Sequence, residues 1–210
     1  ADLGMALVAI PAGSKAPTTF GWQTKATPPE FWRDNPTHNI GLLHSLSGTV
    51  ALDIDNMAHT RIICEALNID LDQVLASAPR IVGRPDRGKA IFRAPVGVLL
   101  TTRKISWPVD GDRRKTEVVF ELRAGSSQDV LPPSIHPDTG HPYRWAGPPI
   151  ADGIPMLPDK ILMIWTEWDR FKSQMMDACP WAAALEFVPP RKVRNLMSPK
   201  PISPGLRMRG

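Results

Sequence analysis

The sequence predicts an α+β fold, in which short strands and helices alternate and a longer helix closes the domain. Short apolar runs are separated by loops rich in Pro and Gly, as expected of strands in a sheet. Helical spacing of apolar residues appears at residues 60–67 and 71–76. From residue 157 to 176 the same spacing continues far enough to predict one long exposed helix packed on a sheet.

The remaining elements follow from local patterns along the chain. Residues 6–10 predict a first strand, which leads into a Pro- and Gly-rich loop with Lys15 at its tip. Thr27 is a candidate cap for a short helix that follows it. Two apolar runs, 39–43 and 49–52, predict strands that pair with each other. The other predicted strands, separated by loops and by a basic stretch of poor periodicity at 101–115, are residues 80–83, 89–94, 117–123 and 128–131.

Composition places the chain among ordinary globular proteins. Its 210 residues are 42% hydrophobic and include 23 prolines, about twice the usual share of roughly 5%. It has no apolar run long enough to span a membrane and no secretory signal, so we expect neither membrane insertion nor secretion. Its two cysteines, Cys64 and Cys179, lie far apart, which argues against a disulfide framework or a cysteine zinc site and fits a reducing cytoplasm.

Charge and proline content divide the chain. Residues 189–210 hold five prolines and six basic residues without an acid, which predicts a linker or tail after a catalytic domain at 1–188. Because the sequence also begins without Met, we expect a piece of a larger protein. Residues 80–123 carry eleven basic residues against five acids, an excess that would hold a polyanion or form a solvated surface.

Three carboxylates are the candidate metal ligands. Asp53 and Asp55 lie two residues apart at the end of an apolar strand, so their side chains point to the same face. Glu121 lies within another apolar strand, where a charge is costly without a partner. Two Mg²⁺ or Mn²⁺ ions shared by these acids would support in-line phosphoryl transfer. Alternatively, the aspartates mark an exposed strand end and Glu121 pairs with Arg123.

Several basic residues lie close to these acids in the sequence. His136 is held on a stiff loop between prolines, where it could donate to a phosphate or sugar oxygen. We interpret the other histidines, His38, His44, His59 and His141, as surface or loop residues. The sequence contains neither a dinucleotide-binding nor a Walker glycine motif. Candidates for neutralising a triphosphate are Arg84, Arg87, Lys89 and Arg123.

The ordered set of motifs resembles one known family. The segments are Pro11-Ala12-Gly13-Ser14-Lys15-Ala16-Pro17, Asn39-Ile40-Gly41-Leu42, Val50-Ala51-Leu52-Asp53-Ile54-Asp55, Glu121-Leu122-Arg123-Ala124-Gly125, and Leu131-Pro132-Pro133-Ser134-Ile135-His136-Pro137 followed by Tyr143-Arg144-Trp145. Together they resemble the bifunctional DNA primase/polymerase N-terminal domain of phage and plasmid replication proteins, in the archaeo-eukaryotic primase superfamily. The likeness covers residues 7–146. It implies a modified RNA-recognition-like sheet with a smaller α/β half.

The resemblance also implies roles for individual residues. Asp53 and Asp55 match the metal-binding acidic motif, and Glu121 matches the third metal carboxylate. Ser134 and His136 match a segment near the nucleotide, and Lys15 matches an early Lys of the family, which implies a role in nucleotide binding. One departure is Lys89, which stands where many relatives have a His that contacts nucleotide phosphates. A lysine supplies positive charge there without titrating near neutral pH.

The function implied is a template-dependent nucleotidyltransferase, a DNA primase and DNA polymerase, in the cytoplasm of a bacterial host. Its expected partners are single-stranded DNA template and primer, dNTP or NTP, and a helicase domain further along the full protein, with no membrane partner. The hypothesised template contacts are Arg103, Lys104, Arg113, Arg114 and Lys115. The alternatives are a two-metal nuclease and a nucleic-acid-binding module whose active site has decayed.

Overall fold

A computed structural model of the chain describes residues 3–181, which form two antiparallel sheets with helices packed against them. The strands are β1 (Leu7–Ile10), β2 (Asn39–Leu43), β3 (Thr49–Ile54), β4 (Arg80–Val82), β5 (Gly88–Arg93), β6 (Arg103–Val109), β7 (Asp112–Arg123), β8 (Gln128–Leu131) and β9 (Arg144–Ala146). The α-helices of the described part are α1 (Pro29–Asp34), α2 (His44–Ser47), α3 (Met57–Ala66), α4 (Leu71–Ala76), α5 (Asp159–Thr166) and α6 (Trp168–Asp177), with short 3-10 helices at Trp22–Thr24 and Ile150–Asp152. The predicted linker at 189–210 lies outside the described residues, as do residues 182–188 of the predicted catalytic domain.

The two sheets differ in size. The larger has six strands in the order β6-β7-β3-β5-β4-β9, and the smaller has three in the order β1-β2-β8. Neighbouring strands in both are antiparallel. Antiparallel sheets with helices packed on them agree with the predicted α+β class.

Alternation along the strands divides the protein into two cores. One face of the large sheet, with Leu52, Phe92 and Leu122, packs on the helices together with Trp165 and many further apolar residues. The opposite face contributes Ile81 and Ile91 to a smaller core shared with the three-stranded sheet. Successive side chains of a strand point to opposite faces. The residues next to Leu52, Phe92 and Leu122 in their strands therefore lie on the face toward the small sheet.

The prediction that residues 39–43 and 49–52 pair with each other is wrong. β2 pairs with β1 and β8, whereas β3 lies at the centre of the large sheet. Between them α2 ends at Gly48, which has a φ of 59° and so adopts the left-handed conformation that redirects the chain. The turn therefore carries the chain from one sheet to the other. A short linker that contains Ser and Gly is also typical of a hairpin, so the sequence alone does not distinguish the two connections.

The predicted long C-terminal helix is two helices, and that prediction is also wrong. Glu167 separates α5 from α6 with a ψ of 34°, outside the helical range, and the Thr166 hydroxyl donates to the carbonyl oxygens of Leu162 and Met163. Trp165 and Trp168, on either side of the break, are both buried. Because the break leaves these apolar residues in one core, hydrophobic spacing alone does not reveal it. Within residues 3–181, none of the helices has the length and apolar character needed to cross a membrane.

Two further expectations are corrected locally. The basic stretch at 101–115 is strand β6 and the start of β7, which meet at a turn where Gly111 has a φ of 74°. β6 buries Trp107 but lies at the edge of the sheet, where exposed charges and Pro108 are tolerated and obscure the alternation. Thr27 does not cap α1, because its hydroxyl oxygen accepts a hydrogen bond from the Ala9 amide of β1.

Candidate functional site

A row of charged residues crosses the large sheet on the face toward the small sheet. Asp53 of β3 lies directly opposite Glu121 of β7 and Lys89 of β5. Directly opposed residues of an antiparallel pair share a face, so the three side chains point the same way. Like charges opposite each other, here Asp53 and Glu121, are destabilising unless cations intervene. The row therefore needs its basic residues.

Lys89 supplies one of those cations. Its ammonium nitrogen lies 2.7 Å from Asp53 Oδ2 and 2.6 Å from Asp129 Oδ1 of β8. Although burial alone would lower it, the two carboxylates raise the pKa of Lys89 above its usual value. Lys89 is therefore charged and bonded to two acids at the edge of the site.

Arg123 supplies the second cation. One guanidinium nitrogen lies 2.8 Å from Glu121 Oε2 and 3.9 Å from Asp53 Oδ2, and Nε lies 2.9 Å from Asp129 Oδ1. The sequence leaves open whether Glu121 binds metal or pairs with Arg123, and in this structure it pairs. Arg123 is thus anchored among three acids.

Asp129 is the residue that sequence reasoning missed. Its side chain is fully buried and receives Lys89, Arg123 and His44, whose Nε2 lies 2.9 Å from Asp129 Oδ2. Although burial would raise it, Lys89 and Arg123 hold the pKa of Asp129 well below its usual range. The signal was present, since an acid in an apolar strand needs a partner, as argued for Glu121.

The interpretation of His44 as a surface or loop residue is wrong. It starts α2, is 1% exposed, and its Nδ1 lies 3.0 Å from the Thr49 hydroxyl. Because an ionised carboxylate only accepts hydrogen bonds, Nε2 of His44 donates to Asp129. His59 lies in α3 and not in a loop, and it is partly buried, because it packs against Trp107 and Trp181 while its side chain stays 17% exposed. Exposed His141 agrees with its prediction.

A cavity of about 200 Å³ opens beside the charged row. Asp53 and Asp55 both line it, as expected of carboxylates two residues apart at a strand end. Asp55 follows β3 and accepts a hydrogen bond of 3.0 Å from Arg87. Most of the remaining lining is cationic or hydrogen-bonding. It consists of Lys15, Arg84, Arg87, Lys89, His136 and Tyr143, and Ile81, Gly83 and Gly88 complete the wall.

Two of these cations are held by one exposed acid. Asp138 accepts hydrogen bonds from Lys15 at 2.9 Å and from Arg84 at 3.1 Å. The backbone amide of Asp138 also donates to Nδ1 of His136 at 3.2 Å. A neutral imidazole that accepts at Nδ1 carries its proton on Nε2 and can donate there. Burial, followed by Lys15 and Arg84, lowers the pKa of His136, so the ring is neutral at pH 7.

The loop that carries His136 is attached to β2. The Ser134 hydroxyl accepts a 2.7 Å hydrogen bond from the Ile40 amide, and the buried Asn39 side chain bonds both the carbonyl and the amide of Ile135. Ser134 is buried and does not line the cavity, so it holds the loop in this structure. Gly83 leaves room for the same loop, because a Cβ there would lie 2.6 Å from the Tyr143 ring.

The donor set fits a divalent cation at one point of the cavity. Burial raises the pKa of Asp53 to about 6, against the opposing effect of Lys89, and burial likewise raises the pKa of Asp55. A buried carboxylate whose charge is incompletely compensated gains from a nearby cation, and carboxylate oxygens suit Mg²⁺ and Mn²⁺. Across residues 3–181, however, no three acidic, His or Cys side chains converge as a ready-made ligand cluster. Glu121 does not join Asp53 and Asp55 in such a cluster, because it is paired with Arg123.

The basic residues expected to contact template lie elsewhere, on the β6–β7 hairpin. Arg103 and Lys104 are exposed on β6, and the side chains of Arg114 and Lys115 on β7 are 92% and 75% exposed. Arg113 lies on the same strand. Lys104 pairs across the ladder with Glu121, so the hairpin continues the charged row to the sheet edge.

Comparison with known proteins identifies one family. A family model described as the N-terminal domain of bifunctional DNA primase/polymerase matches residues 1–160. Among curated proteins, none matches the chain. The matched segment contains both sheets and every residue that lines the cavity.

Proposed function

The chain belongs to the bifunctional DNA primase/polymerase N-terminal family through its residues 1–160, and from that premise we propose that its cavity catalyses template-dependent nucleotidyl transfer. The observation that carries the proposal is the sharing of one cavity by two carboxylates, Asp53 and Asp55, and a set of cations suited to a triphosphate. The 3′-hydroxyl of a primer or of an incoming nucleotide attacks the α-phosphorus of a dNTP or NTP, and pyrophosphate leaves.

Asp53 and Asp55 are proposed to hold Mg²⁺ or Mn²⁺. Such an ion, when bound, polarises the phosphoryl group and favours the deprotonated hydroxyl. The sequence analysis predicts two ions shared with Glu121. Since Arg123 already engages Glu121 at 2.8 Å, Asp53 and Asp55 would hold the ion, and Glu121 would become a ligand only if Arg123 moved.

The chain's own cations are proposed to bind the triphosphate. Lys15, Arg84 and Arg87 face the cavity and neutralise phosphate charge, and His136 donates from Nε2. Asp138 pairs with Lys15 and Arg84, and Asp55 pairs with Arg87. These acids keep the cations oriented before the substrate arrives, and phosphate oxygens would then replace the acids as partners.

The template is proposed to lie along the basic hairpin. Its basic residues, Arg103, Lys104, Arg113, Arg114 and Lys115, would contact the phosphate backbone irrespective of sequence. We also propose a role in phage or plasmid replication and a helicase in the full-length protein. Only the family supports these two parts of the proposal.

Primer synthesis on single-stranded DNA tests the proposal. Wild type with labelled dNTP or NTP and Mn²⁺ should extend a primer or make one, and Asp53→Asn should lose at least a thousandfold of that activity. The matched control is Asp72→Asn, because Asp72 pairs with Arg61 in the helical layer and lies outside the cavity. Product from Asp53→Asn at the wild-type rate would contradict the proposal.

The ion pair of Lys89 with Asp53 favours one alternative, a nucleic-acid-binding module with a decayed active site. That module would bind DNA and make no product in wild type. A nuclease, the other alternative, would shorten labelled DNA in the absence of nucleotides. The same assay, with and without nucleotides, therefore separates the three functions.

A further inference from the structure

Resting on the proposed metal role of Asp53, we propose that Lys89 is an internal cation that competes with the divalent ion for Asp53 and thereby sets the affinity of the site for metal. Its ammonium group lies 2.7 Å from Asp53 Oδ2. That distance is characteristic of a charge-assisted hydrogen bond, so the ammonium occupies one of the two oxygens that a metal would use.

A second acid, Asp129, holds Lys89 in this position. Asp129 of β8 holds the same nitrogen at 2.6 Å, and Asp129 is itself held by Arg123 and His44. A lysine with a single exposed partner would swing away at little cost, since exposed ion pairs contribute little. Here withdrawal of Lys89 from Asp53 leaves it bonded to Asp129, so it stays within reach of the aspartate and repels an approaching cation.

The contacts on Asp53 restrict how a metal can bind. Lys89 at 2.7 Å and Arg123 at 3.9 Å both approach Oδ2. Two-oxygen ligation by Asp53 therefore requires displacement of the ammonium, whereas ligation through Oδ1 leaves it in place. Lys89 and Arg123 already place positive charge beside Asp53, and we expect weak binding of the ion until triphosphate adds negative charge to the cavity.

Titration of Mn²⁺ into the nucleotide-free protein, followed by the electron paramagnetic resonance signal of the free ion, tests the inference. Lys89→Gln removes the charge but keeps a hydrogen-bond donor for Asp129, and it should bind Mn²⁺ at least tenfold more tightly than wild type. Lys89→Arg keeps the charge and should stay within threefold of wild type.

The matched control is Lys15→Gln. Lys15 lines the same cavity, but its ion pair is with Asp138, so the identical change removes a charge from the cavity without freeing Asp53. It should alter Mn²⁺ affinity by less than threefold. Equal tightening by Lys15→Gln and Lys89→Gln would overturn the inference, because the effect would then be the general potential of the cavity.

A measurement on the wild-type protein keeps the inference testable if Lys89→Gln fails to fold. The ¹⁵N signal of the Lys89 ammonium, assigned by its loss in Lys89→Arg, should shift when diamagnetic Mg²⁺ is added at saturating concentration, while the Lys15 signal moves less. An unchanged Lys89 signal at saturating Mg²⁺, or unchanged Mn²⁺ affinity in Lys89→Gln, would overturn the inference. Primer synthesis by wild type would leave the proposed function standing in either case.

Discussion

Lys89 of β5 and Asp129 of β8 join the two sheets through an ion pair of 2.6 Å. Asp129 is fully buried, and the same carboxylate also receives Arg123 from β7 and His44 from α2. One acid of the small sheet therefore fixes two cations of the large sheet beside the candidate catalytic acids. A buried charge with three partners is a point where a single substitution has consequences for both stability and the site.

Asp129→Asn should destabilise the protein strongly. It leaves Lys89 and Arg123 buried without their shared acid, and loss of one partner from a buried ion pair typically costs about 3–5 kcal/mol. Urea denaturation measures the free energy of unfolding. Asp72→Asn, which breaks the exposed pair with Arg61, should cost less than about 1 kcal/mol. Equal losses in the two variants would contradict the role of Asp129.

The stability of the protein should depend on pH through Asp129. Its pKa in the fold is well below the usual value, so its stabilisation is present above the unfolded pKa of about 3.9 and is lost as pH falls below that value toward the folded pKa. The difference in unfolding free energy between wild type and Asp129→Asn should therefore shrink between pH 5 and pH 2.5. A constant difference across urea titrations in this range would contradict the prediction.

In the absence of metal, Asp53 should affect the pH dependence of stability in the opposite direction to Asp129. With its pKa raised to about 6, the folded chain keeps a proton that the unfolded chain has released, so this group's contribution to stability falls as pH rises from about 4 to 6. Asp53→Asn should remove that fall. Thermal unfolding in the presence of a chelator, at half-unit steps of pH, measures it, and identical slopes for variant and wild type would exclude the effect.

The cations tied by Asp138 should govern triphosphate affinity. Lys15→Gln and Arg84→Gln should each weaken binding of a triphosphate about tenfold, since each removes a charged hydrogen bond worth about 1.5–3 kcal/mol. Asp138→Asn should tighten binding, because it releases both cations from a competing carboxylate. Calorimetry in the absence of primer provides the dissociation constants. Arg61→Gln, which changes a helical surface cation, should leave the constant unaltered.

The β6–β7 hairpin should determine the salt dependence of DNA binding. Replacement of Arg114 and Lys115 by Ala should lower affinity for single-stranded DNA and reduce the salt slope by about one. The control exchanges Arg170 and Lys172 on α6 for Ala. If affinity and slope stay unchanged while the hairpin variant self-associates, the charges protect a sheet edge and do not bind template.

Local patterns were sufficient for much of the fold. Helices near residues 60–67 and 71–76, and strands near 80–83 and 89–94, agree with α3, α4, β4 and β5, because helical and strand spacing are properties of adjacent residues. The pairing of strands, in contrast, is not set by adjacent residues. β2 and β3 are neighbours in sequence and belong to separate sheets, since pairing depends on surfaces contributed by distant segments.

The same distinction applies to the site. The spacing of Asp53 and Asp55 is enough to place both carboxylates in one cavity, as the period of a strand requires, and the family could be identified from ordered motifs. Only the tertiary structure decided that Lys89 points at Asp53, that Arg123 holds Glu121, and that Asp129 lies beneath both cations. Sequence identifies which charges exist, but their partners depend on which strands meet across the two sheets, and the energy of a buried charge depends on those partners.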